Sequence, residues 1–145
     1  MIKAMFSPKG GISAEIMRTI GAAKSSVDIA AFSFTSTYIA NVIKSICKKG
    51  RTVQIVFDKD FADLKTSKLD ELLSVYGAKT RKVDLKRGSM HHKFIIVDNT
   101  RLFTGSYNFT NDAENSNCEN VIITDDPEAV TAFREEFKRL WLIGA

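Results

Sequence analysis

The segment Ser89 to Thr110, SMHHKFIIVDNTRLFTGSYNFT, gathers groups that suit the chemistry of a phosphate. His91 and Lys93 are two residues apart on a predicted strand, so both project to one face while His92 points to the other. Asp98 ends that strand, and Gly105-Ser106-Tyr107-Asn108 follows the next one. If the strands pair as a hairpin across the turn DNTR, Ser106 and Asn108 return to the end that holds His91 and Lys93. An ammonium, an amide and a hydroxyl then converge beside an imidazole. The lysine supplies a point charge, the amide and hydroxyl are neutral donors, and the imidazole is a nucleophile or proton carrier.

The elements that must position these groups are readable from periodicity. IKAMFS is a first strand, and ISAEIMRTIGAA (Ile12–Ala23) puts Ile12, Ile16, Thr19, Ile20 and Ala23 on one helical face. The unbroken apolar run Ser26–Phe34 suits a strand covered on both sides. A Ser/Thr cluster opens a helix through TYIANVIKSICKKG, which ends on a basic turn and Gly50. Thr52–Phe57 is a third strand, KLDELLSVYG a helix ending at Gly77, and AKTRKV an edge strand. KFIIVD, RLFTGS and ENVIITD are further strands. Pro127 to Leu142 forms a last helix whose stripe is Val130, Phe133, Phe137, Leu140 and Trp141. The βαβαβ opening implies an α/β domain with a parallel or mixed sheet and helices on both faces.

At 145 residues the chain reads as a single domain, 1–145, with enough apolar residues (44%) for a substantial core. Twenty-one Lys and Arg against seventeen Asp and Glu give a charge of +4, which favours a polyanionic partner. The basic run Lys79, Arg81, Lys82, Lys86, Arg87 and Lys93 is opposed locally only by Asp84. Lys82, Lys86 and Arg87 are therefore candidate phosphate-backbone contacts, with Tyr107 and Phe109 as exposed aromatics able to stack on bases. Asp58, Asp60 and Asp63 invite a metal reading, but they read better as solvated loop acids. Cys47 and Cys118 lie within apolar patterns and read as small buried side chains rather than a disulfide or zinc pair. No apolar run approaches the ~18 residues of a membrane span, and MIKAMFSPKGG lacks the apolar core of a signal peptide. Two locations stay open: the cytosol, or an exported compartment with the export segment outside this sequence.

His91-x-Lys93, four residues, Asp98, six residues, then Gly105-Ser106-x-Asn108 resembles the HxKxxxxD…GSxN signature of the phospholipase D superfamily. The small single-motif endonucleases of that superfamily are the nearest likeness. AAFSFTS (Ala30–Ser36) is similar to their strand-end segment, which brings Ser33 into the candidate substrate-binding set. Glu119-Asn120 lies where the family has an acidic residue before a late strand. The resemblance implies a phospholipase D-like fold, a mixed, mostly parallel sheet flanked by helices on both faces. It also implies hydrolysis through a phosphohistidine on His91, with no cofactor and no metal. Lys93 and Asn108 would hold the non-bridging oxygens, and Glu119 would accept from His91 Nδ1 so that Nε2 is free to attack. Ser106 is a second phosphate donor or a support, while Asp98 and Gly105 belong to the scaffold.

That mechanism needs two imidazoles about one phosphorus, yet His92 faces away from His91 and the chain has no other histidine. The second must come from another copy. The expectation is a homodimer with the site on its two-fold axis, where two equivalent His91 rings hold different protonation states and titrate as a pair. The substrate expected is nucleic acid, DNA in the first place, with RNA left open. The rivals are a cardiolipin-type lipid hydrolase, for which no amphipathic anchor is visible in the sequence, and a nucleic-acid-binding module without catalysis. Likeness to exported bacterial nucleases leans towards the periplasm.

Overall fold

The computed structural model describes residues 1–64 and 69–145. Within them the chain runs β1 (Ile2–Ser7), α1 (Ile12–Gly21), β2 (Ser26–Ala31), α2 (Thr37–Lys48), β3 (Thr52–Asp58), α3 (Lys59–Ala62) and α4 (Leu69–Tyr76). It continues through β4 (Lys79–Val83), β5 (Lys93–Val97), β6 (Arg101–Gly105), α5 (Asn111–Asn115), β7 (Glu119–Thr124) and α6 (Pro127–Ile143). The helix expected from Lys68 begins at Leu69 here, Lys68 itself lying outside the described residues. The short α3 and α5 have no periodicity to betray them; side-chain caps from Asp58 and Thr110 start them.

The strands form one sheet in the order β1-β7-β6-β5-β2-β3-β4. It is mixed, as expected, but not mostly parallel. β2–β3 and β3–β4 pair in parallel, whereas β1–β7, β7–β6, β6–β5 and β5–β2 are antiparallel. The βαβαβ reading holds only for β2 to β4. The chain after β4 returns as a hairpin, inserts β5 beside β2, and leaves β1 at the far edge against β7.

Two apolar layers clamp the sheet. α1, α2 and α4 cover one face, where Ile12, Ile16, Ile39, Ile43, Ile46 and Leu73 meet Val27, Ile29, Val53 and Ile55. α6 covers the other, laying Val130, Phe137 and Leu140 against Phe94, Ile96 and Leu102. The period of two along β5 divides these layers: Ile95 and Val97 face the first, Phe94 and Ile96 the second. Burying each such side chain is worth about 1.5–3 kcal/mol.

β2 stops at Ala31, three residues short of the expected Phe34. From there the backbone bonds to the segment after β6: Phe109 N donates to Ser33 O, and Thr35 N and Ser36 N donate to Phe109 O. The ends of β2 and β6 are laced together by main-chain bonds. Ser36 then caps α2 by accepting from Ile39 N.

Candidate active site

Antiparallel pairing places the start of β5, the end of β6 and the start of β7 at one end of the sheet, beside the end of β2. Phe94 pairs with Thr104, Gly105 with Val121, and Lys93 with Ala31. His91 and Lys93 precede or open β5, and Ser106 and Asn108 follow β6, so segments far apart in sequence share one cleft of about 520 Å³. His91, His92, Lys93, Gly105, Ser106, Asn108 and Glu119 line it.

Lys93 Nζ lies 2.8 Å from His91 Nδ1 and donates to His91 O at 2.8 Å. The ammonium also lies 3.3 Å from His91 Nε2, so it sits against the ring near both nitrogens and can only donate to whichever of them is unprotonated. The His91 ring also rests on Phe32, with centroids 4.5 Å apart, and Phe32 in turn meets Phe61 at 5.3 Å. Burial strips water from Lys93 and lowers its pKa, an effect the Glu119 carboxylate partly offsets. The hydrogen bond expected from His91 Nδ1 to Glu119 is not made. Lys93 occupies Nδ1, and Glu119 Oε2 accepts from Asn117 Nδ2 at 3.2 Å. Asn108 Oδ1 is buried without a hydrogen-bond partner among the described residues. An orphaned buried amide oxygen costs about 1–3 kcal/mol.

Ser106 and Gly105 build the wall. Ser106 N donates to Asn120 O and Ser106 Oγ accepts from Asn120 N, both at 3.0 Å. A Cβ on Gly105 would lie 2.1 Å from Asn120 O, so only glycine lets β7 approach this closely. Asp98 stands at the opposite end of β5, where its carboxylate accepts from the backbone of Lys24, Ser25 and Ser26 and from Ser25 Oγ. It fastens the β5–β6 turn to the start of β2.

Several expected contacts lie elsewhere. Tyr107 and Phe109 are core residues, 2% and 3% exposed; Tyr107 packs behind the cleft and its hydroxyl meets Glu114. Ser33 is buried, and its carbonyl serves the main-chain lacing. Lys82 is held by Asp63 at 2.6 Å and Asp70 at 3.3 Å, so its charge is already answered. Asp58 caps α3 and accepts from Met90 N at 3.0 Å, anchoring the segment before His91. Cys118, expected in the core, is exposed, and Cys47 is partly buried. Lys86 and Arg87 are exposed on the loop 84–92 that leads into His91. His92 lines the edge of the cleft and also reaches toward α6, 3.8 Å from Glu136. Phe32, the platform under His91, was not separable from the other phenylalanines by sequence; its only signal is its place at the end of β2.

Residues 16–141 match the family described as "Cardiolipin synthase, PLD-like domain". The chain belongs to the phospholipase D superfamily, whose members are phosphodiesterases. It is 40% identical over 126 residues to human "Mitochondrial cardiolipin hydrolase", covering 87% of this chain and 49% of that protein. It is 30% identical over 140 residues to "Phospholipase D" of Rickettsia conorii, covering 94% of this chain and 67% of that protein. The chain thus spans about half the length of its mammalian relatives. Among solved structures, the phospholipase D family member Nuc from Salmonella typhimurium superposes with a TM-score of 0.92 at 31% identity, covering 100% of this chain and 96% of that one. NucT from Helicobacter pylori gives 0.87 at 26%, covering 100% and 99%.

Proposed function

We propose that the chain is an endonuclease that hydrolyses nucleic-acid phosphodiesters, DNA in the first place, through a phosphohistidine on His91 and without a metal. The observation that carries the reading is the His91–Lys93 contact in an open polar cleft, reached by a loop bearing Lys86 and Arg87. Substrate phosphate draws the Lys93 ammonium off the ring and onto a non-bridging oxygen, freeing His91 to attack phosphorus. Asn108 turns its amide NH₂ to a second oxygen, and with Lys93 it meets the developing charge. Glu119, close enough to support the Lys93 charge, takes over the imidazolium as it forms.

The second imidazole, which protonates the leaving oxygen and then activates water, is His91 of another copy. α6 leaves the β1–β7 part of its face uncovered, and Ile2 (75%), Phe6 (64%) and Ile122 (38%) are exposed there. Phe6 pairs with Asn120, which is bonded to Ser106, so this strip borders the sheet end that carries the cleft and is the surface we assign to the second copy. The test is digestion of plasmid and oligonucleotide with a chelator present. Wild type cuts and His91→Ala does not. In mixtures with excess His91→Ala chains, activity falls below simple dilution; a fall only in proportion to wild-type chains refutes the shared site.

A second reading, hydrolysis of a cardiolipin-type lipid, is favoured by the mammalian relatives' name and 40% identity. Release of phosphatidic acid from cardiolipin vesicles, without cutting of nucleic acid, would establish it in place of the nuclease.

A further inference from the structure

Beside the catalytic cleft lies a second one of about 380 Å³, between the loop 84–92 and the last turns of α6. His91 and His92 line both, so the two clefts flank the residue proposed to attack phosphorus. Its remaining walls are of two kinds. Leu85, Leu140 and Ile143 are apolar, with Leu85 39% and Ile143 49% exposed. His92 and Arg139 bring planar groups, with Glu136 between them: its Oε1 accepts from Arg139 Nε at 2.8 Å and lies 3.8 Å from His92 Nε2.

We propose that this second cleft is a nucleobase subsite, holding the base next to the phosphate that reacts at His91; the assignment rests on the nuclease reading above. A base has a flat apolar face and a polar edge. The leucine and isoleucine side chains suit the face. The guanidinium commits its edge to Glu136 and so presents its plane for stacking, as does the His92 ring. Lys86 and Arg87, exposed on the same loop, lie where the adjoining backbone phosphates would run. An acyl chain fits less well, because it would cover the Arg139–Glu136–His92 group with hydrocarbon and offer it no partner. A base seated here is unpaired and unstacked from its neighbour, so single strands are the better substrate.

The test uses an end-labelled single-stranded oligonucleotide carrying one stable abasic position, alongside the intact strand. Cutting is compared at the phosphates flanking that position, with all other phosphates of the strand as internal standard. The wild-type protein is expected to cut beside the abasic position about tenfold more slowly, the loss of one base–side-chain stack. In Leu85→Ser/Ile143→Ser the ratio is expected to approach one. Both substitutions are on exposed side chains, and a ratio within one digest does not depend on the folded fraction. Equal cutting by wild type, or a tenfold ratio kept in the variant, overturns the subsite while leaving the nuclease reading intact. No cutting of the intact strand overturns both. Loss of cardiolipin-vesicle hydrolysis in the variant, with the tenfold ratio kept, assigns the cleft to an acyl chain and overturns the base.

Discussion

Replacing Asp98 with alanine separates holding the fold from doing the chemistry, because this aspartate lies within the motif but at the wrong end of β5 to touch phosphate. Its carboxylate accepts from Lys24 N at 3.0 Å, Ser25 N at 2.8 Å, Ser26 N at 3.1 Å and Ser25 Oγ at 3.0 Å. Bonds to an ionised acceptor are worth about 1.5–3 kcal/mol each when buried, but this group is partly open to water, which can replace several of them. About 2 kcal/mol is a fair sum for the set. Asp98 also sits at φ 53°, where alanine costs about 1 kcal/mol more than a residue that tolerates the left-handed region. Asp98→Ala should therefore lose about 3 kcal/mol and about 10 °C in Tm. Asp98→Asn, which keeps an acceptor oxygen and the backbone preference, should lose less than half of that. The pH dependence has a definite sign. Burial pushes the Asp98 pKa up, but its hydrogen bonds outweigh that and leave it below the ordinary value. A depressed folded pKa gives stabilisation above the unfolded pKa of about 4 that disappears as pH falls through the folded one. Urea midpoints of wild type and Asp98→Ala should differ at pH 7 and converge toward pH 3. An unchanged midpoint at pH 7, or a fully folded Asp98→Ala with no residual cleavage, refutes the scaffold role.

Gly105→Ala should cost about 2–4 kcal/mol, because a Cβ 2.1 Å from Asn120 O forces β6 and β7 apart; a thermal melt within 2 °C of wild type contradicts the close approach. Asp28, facing α6, has its pKa pushed up by burial to about 6, with Arg134 pulling the other way. A raised folded pKa means stability is lost as pH rises from about 4 through 6, so Asp28→Asn should be more stable than wild type at pH 7.5 and lose that advantage by pH 4; urea unfolding at both pH values checks it. Lys86→Gln/Arg87→Gln should weaken oligonucleotide binding and flatten its dependence on log[salt] by up to about 2, whereas Lys82→Gln, whose charge Asp63 and Asp70 already answer, should leave the slope unchanged. Equal slopes for the first pair and wild type remove the loop from the binding face.

The convergence of His91, Lys93, Ser106 and Asn108 was legible because it depends on two local rules, alternation along a strand and the return of a hairpin. What the sequence hid depends on distant partners. Lys82 looks like a free cation until α4 brings Asp70 to it, and Tyr107 and Phe109 look exposed until the lacing to β2 turns them inward. Phe32 becomes the platform for His91 only because β5 lies next to β2, an adjacency that no periodicity reports. The same insertion makes the sheet mainly antiparallel although its opening reads as parallel.

The stitching of the β2 end to the segment after β6 bears on how this end of the molecule tolerates change. Its bonds run from Phe109 N and O to Ser33, Thr35 and Ser36 through main-chain atoms alone. Beside it, the Ser36 side chain caps α2 and the buried Phe34 ring packs on Phe109. The register of this seam is therefore set by chain length, and inserting or deleting a single residue in 33–36 would shift the Asn108 amide out of reach.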